Sequence, residues 1–384
     1  MSFVSLDEVA EVFNGKTPAK SDQRETGHPV LKIRDVDDAG QFRGAFGSFV
    51  DHELAAQHKK KQVAPGDTLI LNAAHNASYV GSKSFFATEG VRGALATGEW
   101  LLVRPDYRRL HAGFAHYWLT SVAARSAIRD QVKGIHLYPK DVARLSLPLP
   151  PLDEQRRIAA ILDKADALRR KRKRALDLLD SLTQSIFLEM FGDPKLNSKN
   201  WSKMALEDVG KVSTGKTPPT DDPSNFGSEV PFMTPGDLAM GRRAGRALSE
   251  LGAEKSKVVQ EGAALVCCIG ATIGKMDIAK ERCSFNQQIN AVQWSNKVTP
   301  QFGLHALRFV KHQIIERALS TTLPILKKSE FQKITIIVPP IDHQLEFDKQ
   351  TTVVHAQFEI ATNYYNESCT LFASLQSRAF SGQL

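Results

Sequence analysis

Two long stretches of the chain place apolar residues three and four positions apart, which is the spacing of a helix that packs along one face. The first stretch follows Pro150-Pro151 and the second follows Pro339-Pro340, two proline pairs that oppose the continuation of any preceding helix. The first predicted seam comprises Ile158, Ile161, Ala165, Leu168, Arg172, Ala175, Leu179, Leu182 and Ile186. The second comprises Phe347, Thr351, Val354, Phe358, Ala361, Tyr365, Ser368, Phe372, Leu375 and Ala379. Both patterns predict heptad helices that pack on each other.

The residues before each helix instead show short β-type runs separated by Gly and Pro, as expected for strands joined by turns. The predicted strands are Asp67–Leu71, Leu101–Val103, Ala143–Leu147, Ala264–Ile269, Ala291–Trp294 and Lys333–Val338. Helical stretches are predicted at Gly113–Lys133 and Gln301–Leu319. This mixture predicts two α+β globular domains, here called the first head and the second head.

The two halves of the chain repeat each other. Four blocks recur in the same order, namely Leu6–Asp22 with Leu206–Asp222, Ala64–Leu71 with Gln260–Cys267, Leu145–Gln155 with Ile334–Gln344, and Ser181–Phe187 with Ser374–Phe380. The tetrapeptide GKTP occurs in both copies of the first block. The chain is therefore two copies of one unit of about 190 residues. The predicted domains are a first head at 1–150, a helix at 151–192, a second head at 193–340 and a helix at 341–384.

Symmetry gives the direction of the helices. If a pseudo-two-fold axis relates the two halves, the helices run antiparallel and form a spacer between the heads. About 35 residues at 1.5 Å each give a rod of roughly 50 Å. That length is about one and a half turns of B-DNA. Two heads on such a spacer would read two short sequences separated by unread base pairs.

Composition narrows the class of protein. The chain has 384 residues and a formal net charge of +8, a weak indication of a polyanionic partner. No apolar run reaches the ~18 residues of a membrane helix, and the start of the chain lacks the features of a signal peptide. The four cysteines show no C-x-x-C spacing, so neither zinc binding nor a disulfide framework is indicated. We expect a cytoplasmic protein.

Residues Gly210–Thr217 formally match a phosphate-binding P-loop, G-x-x-x-x-G-K-[ST]. Pro218 and Pro219 follow at once and oppose the helix that such a loop requires, and the first copy has Ala10 in place of the first glycine. We find no methyltransferase tetrapeptide, nuclease Glu-x-Lys pair or paired metal-binding histidines. Single histidines such as His136 and His305 are interpreted as structural or surface residues. The sequence predicts no catalysis, cofactor or metal.

Candidate DNA contacts are basic and amide side chains on predicted loops. Lysine and arginine neutralise phosphates, whereas arginine and amide side chains also read base edges. Asparagine and glutamine equally often complete hydrogen bonds within turns, so that alternative stays open. The candidates are Lys16, Thr17, Lys32, Arg34, Asn72, Asn76, Tyr79, Lys216, Thr217, Arg242, Arg243, Lys275, Asn286 and Gln287.

The order of head, PLPPLDEQRRIAAIL helix, GKTPP-containing head and VPPIDHQ helix ending in LQSRAFSG resembles the specificity subunits of type I restriction–modification systems. The resemblance covers essentially the whole chain. It implies two target recognition domains that each read half of a split, asymmetric DNA site. It also implies that the helices recruit adenine methyltransferase (modification) subunits, and that the restriction subunit joins the assembled complex. The residues expected to form the coiled coil and its docking surface are Ile158, Leu168, Arg172, Leu179, Leu182, Phe358, Tyr365, Phe372 and Leu375.

The run of six basic residues at 169–174 has three interpretations. Six consecutive helical residues wrap the whole circumference, so they cannot all face DNA. The run is either a register device with a solvated face, a contact for modification subunits, or a contact for the DNA backbone. In the first case Arg172 would pair with Glu359 or Glu367.

The sequence is also compatible with two alternative functions. The chain could serve a bifunctional cleaving methylase in place of a three-subunit complex, or it could be a coiled-coil adaptor that binds no DNA.

Overall fold

The computed structural model describes residues 2–238, 244–318 and 324–384. The chain forms two compact units, one of Met1–Arg170 with Glu367–Leu384 and the other of Lys171–Asn366. Each unit contains one head and parts of two long helices. Within the described residues, no helix combines the length and apolar composition needed to cross a membrane.

Each head is built of short strands and short helices and is followed in the chain by one long helix. The first head contains β1 (Ser2–Ser5), β2 (Ala10–Asn14), β3 (His28–Leu31), β4 (Phe49–Val50), α1 (His52–Gln57), β5 (Thr68–Leu71), β6 (Ser84–Phe86), β7 (Leu95–Ala96), β8 (Trp100–Pro105), α2 (Ala112–Leu119), α3 (Val122–Asp130), α4 (Pro139–Ala143) and β9 (Ser146–Leu149). The first long helix is α5 (Leu152–Phe191). The second head contains β10 (Ser202–Ala205), α6 (Leu206–Val209), β11 (Gly210–Thr214), β12 (Phe226–Met233), β13 (Ala247–Leu248), α7 (Glu250–Glu254), β14 (Val258–Val259), β15 (Ala264–Cys267), β16 (Met276–Ile278), β17 (Cys283–Phe285), β18 (Ile289–Trp294), α8 (Pro300–Phe309), α9 (Lys311–Ala318), α10 (Lys328–Phe331) and β19 (Thr335–Val338). The second long helix is α11 (Ile341–Phe380).

The two heads have the same principal sheet. It is antiparallel and four-stranded, with the order β2-β8-β5-β6 in the first head and β11-β18-β15-β16 in the second. A two-stranded sheet joins the start and end of each head, as β1-β9 and β10-β19. The other sheet has three strands in the first head and four in the second. The structure thus confirms the predicted α+β class and internal repeat.

Each unit packs the end of one long helix against the helix that follows the last strand of the principal sheet. In the first unit the Phe380 ring at the end of α11 lies 5.3 Å from the Phe114 ring of α2. In the second unit the Phe187 ring of α5 lies 5.6 Å from the Phe302 ring of α8. Because Phe187 and Phe380 end the last repeated block, this repeat encodes equivalent core contacts.

The long helices run antiparallel in both units. In the first unit Arg157, near the start of α5, donates a hydrogen bond of 2.8 Å to the backbone oxygen of Leu384, and Arg169 lies over the Phe372 ring. In the second unit the Phe187 ring of α5 lies 5.5 Å from the Phe347 ring of α11. Residue numbers therefore rise along α5 as they fall along α11.

The predicted seam of α11 is confirmed, because all ten of its residues are buried or half-buried. The predicted seam of α5 is confirmed at six of its nine residues and has the wrong phase at Leu168, Ala175 and Leu182. The buried or half-buried residues there are Arg169, Leu176 and Thr183, each one position after the predicted residue. Leu168 and Leu182 are instead 38% and 46% exposed.

Three shorter predictions need correction. The stretch Gly113–Lys133 forms two helices, because the hydroxyl of Ser121 accepts the amide of Ala124 and starts α3. Gln301–Leu319 likewise divides into α8 and α9 around Val310, and Leu319 lies outside the described residues. The predicted strand Ala143–Leu147 begins only at Ser146, because α4 extends to Ala143.

Candidate nucleic-acid interface

The GKTP loop of the first head is held against the neighbouring strands. The amides of Gly15 and Lys16 donate hydrogen bonds of 2.9 and 2.8 Å to the backbone oxygens of Trp100 and Ala96. A Cβ atom on Gly15 would lie 2.2 Å from the backbone oxygen of Thr97, too close for any side chain. The glycine is therefore required by this close approach.

The second head repeats this arrangement. The amides of Gly215 and Lys216 donate hydrogen bonds of 3.0 Å each to the backbone oxygens of Ile289 and Phe285. A Cβ atom on Gly215 would lie 2.1 Å from the backbone oxygen of Asn286. The sequence repeat thus corresponds to a geometric repeat at a chemically distinctive loop.

The side chains of these loops divide into fixed threonines and exposed lysines. The hydroxyl of Thr17 accepts the amide of Gly98 at 2.8 Å, and the hydroxyl of Thr217 donates to the side-chain oxygen of Gln287 at 2.7 Å. Lys16 and Lys216 are exposed. An exposed ammonium on a rigid loop can bind a phosphate group.

The loop after Gly215 does not have the geometry of a P-loop. Residues 215–222 contain no helix, and the first helical turn after them is the 3-10 turn Pro223–Asn225. The helix N-terminus that would hold a nucleotide phosphate is therefore missing from this described part of the chain.

The other candidates of the first head are mostly engaged within the chain. Asn72 is 3% exposed, and its amide donates 2.9 Å hydrogen bonds to the side chain of Asn14 and the backbone of Gly98. The side chain of Asn76 accepts the amide of Ser78 and starts a 3-10 turn. These amides hold the loops, which is the alternative that the sequence left open.

Lys32, Arg34 and Tyr79 lie nearer to solvent. The half-buried Lys32 donates to the side chain of Gln23 at 3.2 Å, whereas the exposed Arg34 donates to the backbone oxygen of Gly47 at 2.6 Å. Tyr79 is 61% exposed and is the last residue of the 3-10 turn that Asn76 starts. An exposed tyrosine ring beside a polar turn can stack or donate a hydrogen bond.

The candidates of the second head have three different positions. Lys275 donates a hydrogen bond of 2.9 Å to the backbone oxygen of Pro235, and Asn286 donates one of 3.1 Å to the side chain of Gln288. Gln287 is exposed and contacts Thr217. Arg242 and Arg243 lie outside the described residues, so their DNA contacts stay predictions.

Three thiols and one histidine of the second head, Cys267, Cys268, Cys283 and His305, are buried in its core. Burial raises the pKa of the Cys268 and Cys283 thiols to about 12, which keeps them protonated and unreactive at neutral pH. His305 is 1% exposed, and its ring stacks 5.7 Å from that of His355. Burial lowers the pKa of His305. These groups are part of the packing of the second unit.

The basic run on α5 is engaged mainly along the helices. Arg172 donates a hydrogen bond of 2.5 Å to the backbone oxygen of Tyr364, and its guanidinium lies 5.2 Å from the centre of that ring. The expected pairing with Glu359 is wrong, because Glu359 accepts a hydrogen bond from Lys280. Arg169 and Arg170 both form ion pairs with Asp166.

The long helices also carry apolar side chains that the seam leaves exposed. On α5, Leu178 and Leu182 are 62% and 46% exposed and lie one turn apart. On α11, Val353, Ile360 and Tyr364 are 68%, 47% and 51% exposed at a spacing of seven and four residues. Heptad spacing outside an occupied seam is typical of a surface that packs against a further helix. These five residues are here called the outer stripe.

Residues 1–178 and 198–367 each match the protein family described as "Type I restriction modification DNA specificity domain". The chain is 21% identical over 365 residues to the type I restriction enzyme MjaIX specificity subunit of Methanocaldococcus jannaschii, covering 87% of this chain and 82% of that protein. It is 27% identical over 164 residues to the HindI specificity subunit of Haemophilus influenzae, covering 41% and 36% respectively. Its fold is similar to the crystal structure of the type I restriction–modification S subunit from M. genitalium, with a TM-score of 0.57, 13% identity and coverage of 99% and 96%.

Proposed function

The chain belongs to the type I restriction–modification DNA specificity family, and from this premise we propose that each of its heads reads one half of a split DNA site. It is the DNA-specificity subunit of such a system. The proposed target recognition domains are 1–150 and 193–340, with spacer helices at 151–192 and 341–384. Because the heads differ outside the repeated blocks, the two half-sites differ and the full site is asymmetric.

The observation that carries this proposal is the duplicated GKTP loop. Each head presents one exposed lysine, Lys16 or Lys216, from a loop whose glycine approaches a backbone oxygen equally closely in both heads. The threonine of each loop is also held by a hydrogen bond, to the backbone amide of Gly98 in the first head and to the side chain of Gln287 in the second. Phosphate contacts position a protein on the duplex without reading bases. The equivalent loops are therefore proposed to set the heads on the DNA backbone, and the parts that differ between heads read the bases.

The remaining candidates are assigned by their exposure and by the contacts that their side chains make within the loops. Arg34, Tyr79 and Gln287 are exposed and are proposed to contact DNA directly. Engaged side chains are proposed to shape the contacting loops, namely Thr17, Lys32, Asn72, Asn76, Thr217, Lys275 and Asn286. Arg242 and Arg243 are proposed as further phosphate or guanine contacts.

The helices are proposed to recruit the other subunits. The outer stripe offers apolar side chains four and seven residues apart, which suits packing against a helix of an adenine methyltransferase subunit. The restriction subunit would then join through the assembled complex. Methyl transfer and cleavage are assigned to those partners, so this chain is proposed to be non-catalytic and to act in the cytoplasm, where the DNA and partners are.

The proposal is tested by sequencing methylated adenines in cells that carry the methyltransferase gene, with and without the gene for this chain. We expect a split, asymmetric motif that requires this chain. A palindromic, uninterrupted motif would contradict the two-head assignment. Methylation that does not depend on the chain would favour an adaptor, and direct DNA binding would then separate that role from an inactive copy.

A further inference from the structure

Each long helix begins with a buried glutamine. Gln155 lies in the first turn of α5 and is 1% exposed, and Gln344 lies in the first turn of α11 and is 0% exposed. Both occupy the same place in the repeated blocks PPLDEQ and PPIDHQ. Buried glutamine side chains need partners for both ends of the amide, so their contacts define what they hold together.

In the first unit Gln155 links the start of α5 to the start of α2. Its amide nitrogen donates hydrogen bonds of 2.9 and 3.0 Å to the backbone oxygens of Pro150 and Arg109. Its side-chain oxygen accepts the backbone amide of His111 at 2.8 Å. His111 is the N-cap residue of α2, the head helix that carries Phe114 and Tyr117.

In the second unit Gln344 makes the same three contacts. Its amide nitrogen donates hydrogen bonds of 2.8 and 3.0 Å to the backbone oxygens of Pro339 and Lys297. Its side-chain oxygen accepts the backbone amide of Thr299 at 3.0 Å. Thr299 is the N-cap residue of α8, the counterpart of α2.

The three hydrogen bonds fix the orientation of the head relative to the long helix that follows it. One bond reaches the first proline of the pair that precedes the long helix. The other two bonds reach the residues on either side of Leu110 or Val298, just before the head helix begins. Both donors of the amide and one acceptor position are used, so a rotation at this junction would break several bonds at once. Shared networks of this kind are stiffer than the same bonds made separately.

We propose that Gln155 and Gln344 are positioning residues that fix the angle of each head on its long helix and thereby restrict the spacer between the half-sites. This inference rests on the proposed function, because it requires that both heads bind one DNA molecule. One base-pair step along B-DNA is roughly 3.4 Å, as a turn of ~34–36 Å holds 10–10.5 base pairs. If a tilt at the junction displaces the DNA-binding surface of a head by a few ångströms, the protein would therefore accept a spacer one base pair longer or shorter.

The test uses Gln155→Met and Gln344→Met, which keep the volume of the side chain and remove all three hydrogen bonds. Matched controls are Gln184→Met on α5 and Gln350→Met on α11, two exposed glutamines that bond only to acidic residues one turn away on the same helix. Each variant is assembled with its methyltransferase subunits and offered a DNA library in which both half-sites are kept and the spacer length varies. Methylation at every spacer is counted by sequencing.

We expect the parent and both controls to methylate one spacer length. In each Met variant the preference for that length over its neighbours should fall about tenfold, the factor that corresponds to losing one or two net hydrogen bonds. The half-site sequences should not change. Gln155→Glu and Gln344→Glu, which keep the acceptor and lose the donors, should give the same broadening if the Met variants are poorly soluble.

A folded variant that keeps the parent's single spacer would overturn the inference. So would the loss of folding in both the Met and the Glu variants, measured by thermal melting, because the glutamines would then be ordinary core residues. Failure of the proposed function looks different, since the parent itself would then give no chain-dependent split motif.

Discussion

The hydroxyl of Tyr117 donates a hydrogen bond of 2.7 Å to the carboxylate of Asp163 and so joins α2 of the first head to α5. Burial, followed by the adjacent carboxylate, raises the pKa of Tyr117, which keeps the phenol protonated as the donor. The backbone oxygen of the same tyrosine accepts the amide of Gln376 on α11 at 2.9 Å. One residue thus connects the first head to both long helices.

Removing this hydroxyl should loosen the first unit. We expect Tyr117→Phe to lower the free energy of unfolding by about 1–2 kcal/mol, because the hydrogen bond from a buried hydroxyl to an exposed carboxylate is lost while the ring still packs. The measurement is urea denaturation of the chain in its complex, with the exposed Tyr138→Phe as control. Equal midpoints for the two variants would show that the bond contributes nothing measurable.

The buried histidines predict acid sensitivity in the second unit. Burial and then the Arg308 cation lower the pKa of His305 and of His355, and Glu359 partly opposes this at His355. Because their folded-state pKa lies below the unfolded value of about 6.5, the unfolded chain takes up protons first as the pH falls. The free energy of unfolding of the second unit is therefore highest above about pH 6.5 and decreases as the pH falls below that value.

His305→Phe should remove part of this decline, because the ring can still pack against Phe347, whose centre lies 5.5 Å away. We expect hydrogen exchange of the α8 segment to respond less to a change from pH 7.5 to pH 5.5, after correction for intrinsic rates. The exposed His136→Phe serves as the control. An unchanged response would mean that His305 is not the group that titrates.

The glycines of the GKTP loops predict half-site-specific damage. Gly15→Ala and Gly215→Ala each force a Cβ atom against backbone oxygens, at an expected local cost of about 3 kcal/mol. Gly90→Ala and Gly236→Ala are matched controls in the same heads, where the added atom would meet its neighbours at ordinary distances. We expect Gly15→Ala and Gly215→Ala, but not the controls, to abolish methylation in cells. In footprinting, each of these two variants should lose protection only of the half-site that its own head reads. Equal damage at both half-sites would argue against independent heads.

Much of this fold could be predicted because the repeated blocks are recognisable by their letters and most residues of the α11 seam are apolar. The phase of α5 could not, since Leu168 and Leu182 continue the apolar pattern while Arg169 and Thr183 lie in the packed seam. Both polar residues are accommodated by specific contacts. Arg169 lies over the Phe372 ring and pairs with Asp166, and Thr183 donates to the backbone oxygen of Leu179. Hydropathy alone does not encode such contacts.

The candidate DNA-binding site likewise contains residues whose role the sequence predicts and residues whose role it does not. The equivalence of Lys16 and Lys216 follows from the repeated GKTP letters. The engagement of Asn72 does not, because an amide that reads a base and an amide that holds a loop look identical in sequence. Gln155 and Gln344 were missed as functional residues although the repeat retains both, since their meaning depends on backbone atoms more than 40 residues away.

The long helices predict a spacer that depends on their length. Inserting one heptad into both α5 and α11 adds about 10 Å at 1.5 Å per residue, or roughly three base pairs of B-DNA. We expect methylation sequencing to find the same two half-sites separated by a longer spacer. An insertion of seven residues into the exposed loop before β10 is the control and should leave the spacer unchanged. An unaltered spacer in the helix variant would show that the helices do not set the distance.

The exposed loop lysines predict a change in the salt dependence of DNA binding. If Lys16 and Lys216 each neutralise one phosphate, Lys16→Ala and Lys216→Ala should each reduce the slope of log affinity against log salt by about 1, and the double variant by about 2. The half-site sequences should stay the same, because phosphate contacts carry no base information.

Lys164→Ala and Lys349→Ala, exposed lysines on α5 and α11, are the controls and should keep the parent slope. The affinity is measured by titrating labelled duplex DNA with the methyltransferase complex at several salt concentrations between about 50 and 200 mM. Unchanged slopes in both loop variants would place the phosphate contacts elsewhere on the heads, whereas a change of base preference would mean that these lysines read bases.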